Sequence, residues 1–87
     1  MTEDSREGLQ SALDEIREMF ADMHLARRKL GEIKQHYVRQ LHSGTITRFR
    51  YDIEMTDIIR LERTMNAQWI RLQNQRSRTL EKLRHLA

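Results

Sequence analysis

Two runs of apolar residues at helical spacing, separated by one short break, organise this chain. The first run is Leu9, Leu13, Ile16, Phe20, Met23, Leu30, Tyr37 and Leu41. Steps of three, four and seven residues place these on one side of an α-helix. Met19, Ala26 and Ile33 widen the stripe, while Asp14, Glu15, Glu18 and Asp22 fall mostly off it. The second run is Tyr51, Met55, Ile58, Leu61, Met65, Trp69, Leu72, Leu80, Leu83 and Leu86, and it fades through the polar stretch 73–78. That stretch holds no Gly or Pro, so the helix is expected to continue, with a kink over 73–78 as the alternative.

The break lies at 43–47. Gly44 has no Cβ and can take the left-handed conformation that ends a helix, and Thr47 suits the N-cap of the next. Ile46 before that cap can pack on Tyr51 beyond it, although Arg50 stands where a capping box needs Glu or Gln. At the other end Ser5 can cap the first helix, with Glu7 near its positive terminus. The pattern therefore predicts a single domain over 1–87: a helix at about 6–42, a turn at 43–47 and a helix at about 48–85. Each helix is on the order of 50–60 Å long at roughly 1.5 Å per residue. The fold class is all-α, an antiparallel helical hairpin of coiled-coil character. Folding about residue 45 sets Phe20 near Trp69, Leu9 near Leu80 and Leu83, and Tyr37 near Ile53.

Composition agrees with exposed helices carrying one apolar stripe: 33% charged, 38% hydrophobic and no proline. The strong periodicity argues against disorder. No apolar run approaches the ~20 residues of a membrane span. The start Met1-Thr2-Glu3-Asp4 is acidic where a signal peptide is basic and then apolar, so a cytoplasmic location is the expectation. With no cysteine there is neither a disulfide nor a Cys-based zinc site.

Charge adds direction. Residues 1–22 hold seven acids against two arginines, a net of −5, and residues 63–87 hold six cations against one acid, a net of +5. In the hairpin these blocks meet, so Asp14, Glu15 and Glu18 are expected to approach Arg71, Arg76 and Arg78. Such pairs choose register more than they stabilise. The cations left over sit at the turn end: Arg27, Arg28, Lys29, Lys34, Arg39, Arg48 and Arg50 are the candidate contacts for an acidic partner.

Candidate chemistry is thin. Glu32 and His36 share a helix face, but no HExxH or second His pair supplies the remaining ligands of a zinc site. The carboxylates Asp14-Glu15 and Asp52, Glu54 and Asp57 read as solvated faces rather than an acid–base pair in a dry cleft. Arg27-Arg28-Lys29-Leu30 is only superficially similar to the Arg-Arg-Leu element of the all-helical chorismate mutases, and the Asp-x-x-Arg-Glu element that follows in that family is absent. No catalytic residue, metal or cofactor is expected.

Two helices bury only their facing strips. Met19, Phe20, Met23, Ile58, Ile59, Met65, Trp69 and Ile70 span a wider arc than one partner helix covers, since neighbours such as Ile58-Ile59 point about 100° apart. These eight are the expected partner interface. A second copy, making a four-helix bundle, or a different helical protein would complete the core. The size and shape are similar to those of small bacterial secretion chaperones and co-chaperones, an analogy of architecture alone. The expected role is thus a non-enzymatic protein–protein interaction module: an adaptor, chaperone-like partner or assembly subunit. The alternative is a small regulator that binds nucleic acid through the basic turn end, which the thirteen arginines would suit.

Overall fold

The computed structural model describes residues 5–86. The chain forms two antiparallel helices, α1 (Arg6–His42) and α2 (Arg48–His85), with α2 helical through 73–78. Both starts are capped by a side-chain oxygen: Ser5 Oγ accepts from the Gly8 N–H at 3.1 Å, and Thr47 Oγ1 from the Arg50 N–H at 3.1 Å. At the end of α1, Gly44 has φ 75°, which lets its own N–H reach the Leu41 carbonyl and the Thr45 N–H reach the Gln40 carbonyl. The carbonyls stranded at the helix end thereby find donors within the turn. Ile46 and Tyr51, flanking the second cap, are both half-buried.

The molecule measures 61 × 18 × 16 Å, with a radius of gyration of 19.2 Å. A compact globule of this length would have a radius near ~12 Å. The rod shape leaves only a seam between the helices as interior. Along α1 the seam residues alternate in steps of three and four: Leu9, Leu13, Ile16, Phe20, Met23, Arg27, Leu30, Lys34, Tyr37 and Leu41. Along α2 they are Tyr51, Met55, Ile58, Glu62, Met65, Trp69, Leu72, Arg76, Thr79 and Leu83. This is the heptad repeat of a coiled coil. All of these except Arg76 are buried or half-buried. The deepest are Leu9, Ile16 and Leu30 on α1 and Ile58, Met65 and Leu72 on α2, with Leu30, Ile58 and Met65 in one cluster flanked by Tyr37 and Met55.

The antiparallel register matches the sequence expectation in the middle of the rod. Phe20 meets Trp69 edge-on, with ring centroids 4.7 Å apart, and the Tyr37 hydroxyl donates to Glu54 at 3.3 Å, whereas the expected neighbour Ile53 is 44% exposed. Two further features differ. Leu61 and Leu80 lie outside the seam, 50% and 40% exposed, and Glu62 and Thr79 take the seam positions beside them. Each polar substitute has a partner: Glu62 accepts from Lys34 across the seam at 3.2 Å, and the Thr79 hydroxyl donates to the Gln75 carbonyl of its own helix at 2.8 Å. Charged residues at such seam positions fix register and orientation. The second difference concerns the charge blocks. Among the described residues no ion pair joins Asp14, Glu15 or Glu18 to Arg71, Arg76 or Arg78. Exposed pairs gain little over hydration and lose side-chain entropy, so the facing rows remain solvated. Glu3 and Asp4 of the acidic block lie outside the described residues.

Candidate interaction surface

The eight apolar residues singled out from the sequence do not share one surface. Ile58 and Met65 are 6% and 9% exposed and pack within the hairpin's own seam, leaving almost no side chain for a partner. Phe20 and Trp69 engage each other, and Met23 is half-buried beside them. Met19, Ile59 and Ile70 are exposed, but the heptad places them on different sides. Met19 borders the seam on one flank, Ile59 borders it on the opposite flank, and Ile70 lies on the outer side of α2.

Trp69 is the centre of a cluster that ties the two helices. Phe20 meets its edge, His24 stacks at 6.1 Å, and the Arg27 guanidinium lies 4.7 Å from its ring centroid. Arg27 also donates to the Asn66 side-chain oxygen. A cation–π contact of this kind contributes about 0.5–1 kcal/mol where water reaches it.

The same interactions reshape the basic turn end. Arg27 is held by Trp69 and Asn66, Lys34 by Glu62 at 3.2 Å, Arg48 by Asp52 at 3.2 Å and Arg50 by Glu54 at 2.8 Å. Of the seven cations expected to meet an acidic partner, Arg28, Lys29 and Arg39 are exposed without an ion pair among the described residues. They occupy the outer half of α1.

Large apolar side chains such as Phe49, Leu25 and Ile70 are exposed singly elsewhere, but one flank gathers several beside a groove. A continuous open groove runs between the first half of α1 and the second half of α2. Its floor is Ala12, Ile16, Met19, Met23 and Leu72, its α2 wall is the polar row Gln68, Gln75 and Lys82, and its widest part is about 450 Å³. Glu15 and Asp22 form its α1 rim, and Arg78 and Arg71 stand at the same levels on the α2 rim. The heptad continues this flank towards the turn through Ala26 and Ile33 on α1 and Leu61 on α2; Ile33 and Leu61 are 46% and 50% exposed. The groove is a trough open along its length, suited to a side-chain row of another helix rather than to enclosing a small molecule. Sequence reasoning placed Ile33 on the stripe and Leu61 in the core. The pattern groups Ile33 with Met19 as a widening of the stripe but does not join Leu61 to them, because period alone does not say which side of a stripe a partner covers.

Among the described residues no three His, Cys, Asp or Glu side chains gather as metal ligands, and no helix is long and apolar enough to cross a membrane. No protein-family model, curated protein or solved structure matches the chain.

Proposed function

We propose that this chain is a non-enzymatic protein–protein interaction module, an adaptor, chaperone-like partner or assembly subunit that works by packing its hairpin against other helices to complete a four-helix bundle. The observation that carries this reading is the flank on which exposed Met19, Ile33 and Leu61 continue the apolar groove. A rod with one seam hides too little apolar surface to cover them itself, and the apolar row Ala12, Met19, Ala26 and Ile33 of α1, bordered by charges, is the pattern of a contact surface. The open trough and the thin catalytic inventory fit binding better than turnover.

The test is the native mass and composition of the complex purified from the host by way of a terminal tag. A protein complex, homomeric or mixed, that Ile33→Glu/Leu61→Glu disperses without loss of helicity is the expected result. A chain that is monomeric and free of protein partners, with or without those substitutions, overturns the reading. A nucleic-acid regulator is the second reading, favoured by Arg28, Lys29 and Arg39 standing exposed on one side of α1. It calls for retention on DNA or RNA that falls steeply with salt and is lost on changing Arg28 and Lys29 to Ala.

A further inference from the structure

We infer that the occupant of the grooved flank is a second copy of this chain, related by a two-fold axis perpendicular to the helices and passing near Ala26. This rests on the interaction-module reading and specifies its partner and face. The flank is self-complementary about that axis. Met19 and Ile33 lie seven residues either side of Ala26 along the same row of α1. The operation therefore sets Met19 of each copy on Ile33 of the other, an exposed apolar residue on an exposed apolar residue. Ala26, with Ala12 the smallest side chain of the row, comes closest to its own copy, where a close approach needs a small residue.

The charged rims agree with the same axis. Asp22 and Lys29 follow each other on the α1 rim, and the rotation places each opposite the other in the second copy. On α2, Arg78 falls opposite Asp57. None of these four has an ion pair among the described residues, so each has its charge to offer. An isologous interface requires this reciprocity, residue i on j and j on i. The same axis leaves Leu61 opposite Gln75 of the copy. An axis parallel to the helices pairs Ile33 with Leu61 but lays both Met19 over Gln75 and Ala26 over Gln68, so it sets more of the apolar row on polar side chains. The flank, about 61 by 18 Å, can also supply the ~800 Å² per partner of a standard interface. A net charge of +3 sets only mild repulsion against pairing.

The chain has no cysteine, so single introduced thiols report contacts without background. Light scattering on the purified protein should give a dimer. Ala26→Cys should then be joined to its copy by a short bismaleimide, while Leu25→Cys on the outer side of α1 and Ile59→Cys on the opposite flank should not. Asp22→Lys, which opposes Lys29 of the copy, should weaken dimerisation at least tenfold. Asp22→Lys combined with Lys29→Asp should restore it, and circular dichroism should show all variants helical. A monomer overturns the inference while leaving the wider reading to a different protein partner. A dimer that is cross-linked at Ile59 or Leu25 rather than at Ala26, or that the charge exchange does not restore, overturns the face and axis.

Discussion

Replacing Trp69 with alanine removes the one residue that three others grip at once. The full loss for a buried Trp→Ala is about 3–5 kcal/mol, from transfer free energy and the cavity left behind. Trp69 is half-buried, so a smaller share of that range applies, about 2–3 kcal/mol. Part of it is specific to partners. The edge-on ring of Phe20 at 4.7 Å accounts for about 0.5–1.5 kcal/mol. The Arg27 guanidinium, also at 4.7 Å, accounts for about 0.5–1 kcal/mol. For a chain of this size each kcal/mol moves the melting temperature by roughly 4–8 °C, so the midpoint should fall by about 10–20 °C. Thermal and urea melts by far-UV circular dichroism, at one fixed protein concentration, measure it. Trp69→Phe should keep part of the stability, and a cycle with Phe20→Leu should show a coupling of about 1 kcal/mol. A Trp69→Ala protein within about 0.5 kcal/mol of the parent, the size of an ordinary surface change, would refute the account of this cluster.

Gly44→Ala should cost about 1–2 kcal/mol, because φ 75° is a conformation that an L side chain adopts only under strain; the space around the added Cβ is open, so sterics elsewhere do not contribute. Denaturant midpoints check this, and an unchanged midpoint would mean that the turn adjusts freely. Glu62→Gln should lower stability by no more than about 1 kcal/mol, since both partners of the Lys34–Glu62 pair are more than a third exposed. The loss should shrink as salt rises, and a salt-independent loss of several kcal/mol would show the pair to be buried.

Much of this architecture was legible because the signals were local and redundant. Ser5, Gly44 and Thr47 marked helix ends by their own chemistry, and the apolar spacing brought Phe20 to Trp69 without reference to any other contact. The second helix was misread where a polar residue stands in the seam. Leu61 lies three residues after Ile58 and four before Met65, so its spacing is as helical as that of Glu62. The strict alternation of four and three through Tyr51, Met55, Ile58, Met65, Trp69 and Leu72 puts Glu62 in the seam, where Lys34 of the opposite helix meets it. The facing charge blocks were legible as a pattern and misleading as contacts, since water holds exposed Arg and Glu as well as they hold each other. The outer surface was the least legible part. Which exposed apolar residues line one flank depends on how the helices are rotated about the seam, and that rotation follows from the same Glu62 and Thr79 positions.

The turn has a kinetic consequence. Contacts across the seam join residues ever farther apart in sequence as they leave it: 17 residues for Tyr37–Glu54, 28 for Lys34–Glu62 and 39 for Arg27–Asn66. Closing a loop costs entropy that grows with its length, but each pair formed shortens the loop that the next must close. The hairpin therefore zips from Gly44 outward. In a single copy, amide protection should be highest near Leu30, Ile58 and Met65 and decline away from the turn, towards Leu9 and Leu83. The grooved flank lies mostly in that late-closing half, so whatever settles there clamps the end that the turn holds least.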